Sequence, residues 1–135
     1  MGKRQVMMKN VLLVDDDFVF TFLNKKIISS LKFVNDIGTA QNGLQALEYL
    51  SALVAKGKPL PDIILLDLNM PIMDGFAFLE AFANMRLPHK ERIKIIIVTS
   101  SMHPQDLLRA RSYGVTSYLS KPLREEGLLA EISNA

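Results

Sequence analysis

An α/β fold, an open parallel sheet of five strands with helices on both faces, is the architecture that this sequence predicts. Three observations predict it. Five short apolar runs rich in Val and Ile lie along the chain, five segments with helical periodicity follow them, and the two kinds alternate strictly. Such alternation implies βαβ units, whose right-handed crossovers set helices on the faces of the sheet.

The first strand is expected over residues 10–14, ending against three aspartates. A helix follows whose stripe is Phe20, Leu23, Ile27 and Leu31, at the spacing of one helical face. The second strand is expected over residues 33–39, and the second helix carries Leu44, Leu47, Leu50 and Val54. Residues 62–66 and 93–98 form strands three and four, and their unbroken apolarity fits strands covered on both faces. Phe78, Leu79 and Phe82 mark the helix between them. A weaker stripe of Leu107, Ala110 and Gly114 precedes a fifth strand at residues 116–119, and Leu128, Leu129 and Ile132 make the last helix. Gly43, Pro59, Pro61, Pro71, Pro88, Pro104 and Pro122 fall in or beside the joints, as residues that interrupt regular structure should.

A chain of 135 residues is close to one typical domain and can bury roughly two-thirds of its unfolded surface. Sixteen Lys and Arg against fourteen Asp and Glu leave a charge of +2, too small to imply a polyanion, so no direct nucleic-acid partner is expected. With no cysteine there is neither a disulfide framework nor a thiolate nucleophile, which fits a reducing cytoplasm. Apolar runs such as 63–66 and 95–98 fall far short of the ~20 residues that a membrane span needs. Residues 1–8 read as a disordered or vector-derived extension, and residues 9–135 as the single folded unit.

In an open α/β sheet the working groups gather beyond the carboxyl ends of the strands. Strand one runs into Asp15, Asp16 and Asp17, strand three into Asp67, and strand four into Thr99 and Ser100, while Lys121 follows strand five. Carboxylates crowded in this way repel one another unless a cation shares their site. Oxygen donors without His or Cys suit Mg²⁺, which uses one or two carboxylates and keeps several waters. With Mg²⁺ and the Lys121 ammonium spreading the charge, one carboxylate can act as a nucleophile toward a phosphoryl group.

The segments Val11-Leu-Leu-Val-Asp-Asp-Asp17, Leu65-Leu-Asp-Leu-Asn-Met-Pro-Ile-Met-Asp-Gly75, Val98-Thr-Ser100 and Tyr118-Leu-Ser-Lys-Pro122 resemble the receiver domain of two-component response regulators, of the single-domain, chemotaxis-regulator kind. The resemblance runs from Lys9 to the C-terminus. It implies a flavodoxin-like doubly wound sheet in the order 2-1-3-4-5, an order taken from the family rather than from residue spacing. It also implies that Asp67 is the phosphoacceptor, that Asp16 is the principal Mg²⁺ carboxylate with Asp15 beside it, and that Asn69 offers the ion a backbone carbonyl. Thr99 would bond a phosphoryl oxygen, Lys121 would pair with the phosphate, and Tyr118 holds the aromatic position whose rotamer accompanies switching.

The function so implied is a cytoplasmic, phosphorylation-activated switch. It would accept phosphate from a histidine kinase or histidine phosphotransfer protein, catalyse only its own phosphorylation and dephosphorylation, and regulate a downstream protein target without contacting a membrane. The chain closes near the end of the fifth helix, so it would be a single-domain regulator or a fragment of a longer one. Two features depart from the commonest pattern: Ser100 stands where Ala is frequent after the switch Thr, and the loop at residues 56–61 is somewhat long.

Taken singly, these residues have plainer readings. The triplet Asp15, Asp16 and Asp17 alone suits a helix N-cap, Thr99 and Ser100 another, and Lys121 a solvated loop. Asp15, Asp17, Thr99 and Lys121 also imitate a haloacid-dehalogenase phosphatase, but that leaves residues 67–75 unexplained. His89 and His103, far apart and without Cys partners, read as solvent-facing. On a helical projection Phe18 and Phe22 fall opposite Phe20, beside Lys25, so the first helix is expected to expose two rings to a partner. By the resemblance, that partner is the four-helix domain of the histidine donor.

Overall fold

The structure, a computed structural model, describes residues 8–100 and 103–133. The expected extension at residues 1–8 lies outside the described residues except for Met8, which is exposed. The elements are β1 (Lys9–Val14), α1 (Phe18–Ser29), β2 (Val34–Ala40), α2 (Gly43–Ala55), β3 (Ile63–Leu66), α3 (Gly75–Asn84), β4 (Lys94–Thr99), α4 (Pro104–Ser112), β5 (Ser117–Ser120) and α5 (Glu125–Ser133). One 3₁₀ turn, Lys90–Arg92, leads into β4. All strand pairs are parallel, as the alternation of strand and helix predicts, and the order is β2-β1-β3-β4-β5, the one that the family resemblance implies.

Two apolar layers explain the unbroken apolarity of the central strands. Leu12, Val14, Ile64, Leu66 and Ile97 point to the face covered by α2, α3 and α4, where they meet Leu50, Phe78, Leu79 and Ala110. Val11, Leu13, Ile63, Leu65, Ile96 and Val98 point to the other face, where α1 and α5 supply Ile28, Leu128 and Ile132. Each large aliphatic side chain buried this way contributes about 1.5–3 kcal/mol, which holds the strands in register.

The helices correct three expected stripes. In α1 the core face is Phe20, Asn24, Ile27 and Ile28, with Leu31 just beyond the helix, while Leu23 is 51% exposed. The reason is that an amide, Asn24, holds a core position, and a pattern built on apolar residues slides past it onto Leu23. In α2, Leu44 and Val54 are exposed, and Gly43, Ala46 and Leu50 are buried instead. Small residues serve here because α2 starts hard against the loop before α3: Gly43 N–H donates to Met73 O at 2.8 Å, and a Cβ on Gly43 would lie 2.7 Å from Met73 Cγ. Gly114 is not part of the α4 stripe. It follows the helix with φ of 84°, the left-handed conformation in which glycine commonly ends helices.

Candidate functional site

Strand register brings the acids together. Val14 lies opposite Leu66 and Leu66 opposite Ile97, so the residues after Val14 and Leu66, Asp15 and Asp67, leave neighbouring strands at one level. Backbone bonds continue the ladders past the strand ends: Asp67 N–H donates to Val14 O at 3.0 Å, and Asp15 N–H to Ala40 O at 3.0 Å. Lys121 N–H donates to Thr99 O at 2.9 Å, which ties the loop after β5 to the end of β4.

At this edge carboxylate oxygens of Asp15, Asp16 and Asp67 lie within 4.8 Å of one another. Asp15 and Asp67 are buried and Asp16 is exposed. The Lys121 ammonium reaches both buried acids, 2.9 Å from Asp15 Oδ2 and 3.5 Å from Asp67 Oδ2. The same ammonium lies over the Phe20 ring, with Nζ 4.2 Å from the centroid.

Local hydrogen bonds hold the loops in place. The triplet divides its labour: Asp17 caps α1 by accepting from Phe20 N–H at 3.0 Å, and Asp15 Oδ1 accepts from Asp17 N–H at 2.9 Å. The N-cap reading thus holds for Asp17, while Asp15 and Asp16 belong to the acidic cluster. Asn69 N–H donates to Asp67 Oδ1 at 3.4 Å. Asp74 caps α3 through Ala77 N–H at 2.9 Å, and the next residue has to be glycine because a Cβ on Gly75 would lie 2.6 Å from Asp67 O.

Burial, and then the neighbouring Asp15 carboxylate, push the Asp67 carboxyl above its ordinary range, against the opposing pull of Lys121 and of Asn69 N–H. For Lys121 burial acts alone in favouring the neutral amine, and the two carboxylates outweigh it, so its pKa rises and the ammonium is kept. Two buried acids therefore share one partly buried ammonium.

The remaining residues singled out in the sequence sit as follows. Thr99 is buried at the end of β4 and Ser100 is exposed. Tyr118 is half-buried on β5, its hydroxyl 3.0 Å from Val115 O and 3.2 Å from Leu107 O, where its single proton is shared between two carbonyls. Phe18 and Phe22 are 72% and 58% exposed, and the Lys26 ammonium lies 4.7 Å from the Phe22 ring centroid. His89 and His103 are both exposed. The Phe20 contact with Lys121 has no signature in the sequence, where Phe20 reads only as a core residue, because it joins the first helix to the last loop.

A family model for the response regulator receiver domain matches residues 11–133. The chain belongs to this family. Among curated relatives, the receiver is 36% identical over 118 residues to the probable methanogenesis regulatory protein FilR2 of Methanothrix harundinacea, covering 87% of this chain and 75% of that protein. It is 33% identical over 125 residues to the nitrate/nitrite response regulator NarL of Escherichia coli K12, covering 93% of this chain and 53% of NarL. The receiver thus spans about half of NarL's length. A crystal structure of a two-component response regulator from Cytophaga hutchinsonii superposes with a TM-score of 0.85 at 32% identity, covering 95% of this chain and 96% of that one.

Receivers are phosphorylation-activated switches of two-component signalling that interact with histidine kinases and downstream effectors, and the acidic cluster of this receiver fits a phosphoacceptor site. No helix among the described residues is long and apolar enough to cross a membrane.

Proposed function

We propose that this receiver, over residues 9–135 with residues 1–8 as an extension outside the folded unit, accepts phosphate on Asp67 from a histidine kinase or histidine phosphotransfer protein. One observation carries the reading: three carboxylates and one ammonium converge at the strand ends, with Asp67 central in the sheet and in reach of Lys121. An Asp67 oxygen forms the new O–P bond as the donor's P–N bond breaks, the imidazole nitrogen keeping the electron pair. The chain contributes position and charge rather than bond-making machinery. Lys121 sits where it can pair with the oxygens of the arriving phosphoryl group, and Thr99 can bond one of them.

An all-oxygen donor set crowded with negative charge suits a hard divalent ion, so Asp15, Asp16, Asp67 and the Asn69 carbonyl would hold Mg²⁺. Bound there, Mg²⁺ supplies charge neutralisation to the acids and the transferring phosphoryl group. The receiver catalyses only its own phosphorylation and the hydrolysis of the acyl phosphate. The new charge draws the Thr99 hydroxyl toward the phosphate and frees space for the Tyr118 ring, which changes the surface shown to a downstream protein target. Phe18 and Phe22 dock the four-helix domain of the donor, since exposed rings one turn apart are costly to leave in water. The whole cycle takes place in the cytoplasm.

Acetyl phosphate with Mg²⁺ tests the site. One phosphoryl group should be added per chain, lost in base, and borohydride trapping should place it on Asp67. Trapping on Asp15 or Asp16, or full labelling of the Asp67→Asn variant, overturns the reading.

A further inference from the structure

We infer that Phe20 is a positioning residue for the phosphoryl transfer: its ring face holds the Lys121 ammonium at the edge of the acidic cluster. The inference rests on the proposed role of Asp67 and adds to it a residue outside the polar set. Lys121 Nζ has Asp15 at 2.9 Å, Asp67 at 3.5 Å and the Phe20 ring centroid at 4.2 Å. An ammonium over a ring face is drawn to the negative lobe of the ring quadrupole, and the attraction grows when water is kept away, as it is for this lysine, whose side chain is only 17% exposed.

The ring contact differs in kind from the two ion pairs. Hydrogen bonds to carboxylates are directional, whereas the attraction to a ring face changes little as the ammonium slides across it. When a phosphoryl group arrives on Asp67, Lys121 has to re-aim from carboxylate oxygens to phosphoryl oxygens. The ring lets it do so without being released to solvent. Phe20 is itself fixed to the acidic loop, because its backbone N–H donates to Asp17 Oδ1 at 3.0 Å, and its half-buried side chain packs with the α1 and α5 side of the core. The loop that carries Asp15 and Asp16 therefore also sets the ring.

The test is the initial rate of acetyl phosphate labelling with Mg²⁺ for the full chain. Phe20→Leu keeps apolar bulk but removes the ring face, and should slow labelling about fivefold. Phe20→Tyr keeps the face and should restore the wild-type rate, and Phe20→Met should behave as Phe20→Leu does, which covers a leucine variant that fails to fold. A double-mutant cycle separates positioning from packing: in a Lys121→Met background, Phe20→Leu should cause no further loss. Equal rates for wild type and Phe20→Leu overturn the inference, as does an unchanged fivefold loss in the Lys121→Met background. A wild type that takes no label on Asp67 instead overturns the underlying reading of the site.

Discussion

Lys121 is bound more closely to Asp15 than to the proposed phosphoacceptor, at 2.9 Å against 3.5 Å. Asp67 is therefore the less compensated of two buried acids, and its raised pKa follows from burial and from the Asp15 charge beside it. Folded Asp67 holds its proton more tightly than the unfolded chain does. Native stability thus falls as pH rises from the ordinary carboxylate value, about 4, through the raised folded value. Without divalent metal at pH 7, Asp67→Asn should melt about 3 °C above wild type, roughly 1 kcal/mol, and the two should converge in acid. Thermal melts in EDTA check this, and a variant that melts lower at pH 7 counts against it.

Mg²⁺ should raise the melting temperature of the wild type, because an ion that binds only the folded site stabilises by mass action. Asp16 is the exposed acid of the cluster and makes no ion pair with Lys121 among those described, so Asp16→Ala should leave the metal-free melt almost unchanged and abolish the Mg²⁺ increment. A full increment in the variant would assign the ion elsewhere.

Thr99→Ala should still take phosphate but fail to pass the change to β5. The expected sign is loss of the phosphorylation-dependent NMR shifts around Tyr118, whose hydroxyl now bonds across to Leu107 O and Val115 O. Wild-type shifts in that variant would rule out the route.

Replacing both Phe18 and Phe22 by Ser should slow transfer from the cognate kinase at least about tenfold, as expected when exposed anchor rings are lost, and leave acetyl phosphate labelling nearly intact. Equal losses with both donors would mean that the rings support the fold.

Asn24 is 1% exposed, and its Nδ2 has no hydrogen-bond partner among the described residues. Asn24→Leu removes an unsatisfied donor and suits a helix better, so it should stabilise the receiver by about 1 kcal/mol. The urea midpoint should rise with an unchanged slope. A lower midpoint would show that the amide is satisfied in solution.

The strands were legible because β1, β3 and β4 are apolar on both faces, a pattern that only a covered parallel strand requires. Asp67 stood out for the same reason, as an acid closing a run of four buried aliphatic residues. Helix faces were harder to read. Asn24 hid the phase of α1, and in α2 the small Gly43, held close to Met73, and Ala46 are buried in place of the larger Leu44 and Val54. Phe20 packs on the core as its periodicity implies, but periodicity reports only that a ring faces inward and not that an ammonium lies over it.

The pairing of Val14 with Leu66 makes the hydrophobic core a ruler for the chemistry. Side chains alternate along a strand, so deleting one residue between Ile63 and Leu66 would leave the layers nearly as oily as before and yet turn the Asp67 carboxyl to the wrong side. In the loop at residues 56–61 only Lys56 to Pro59 are exposed and can change length at little cost, because Leu60 packs on the core and Pro61 is buried. Drift in this lineage should therefore gather before β3 and halt where β3 begins.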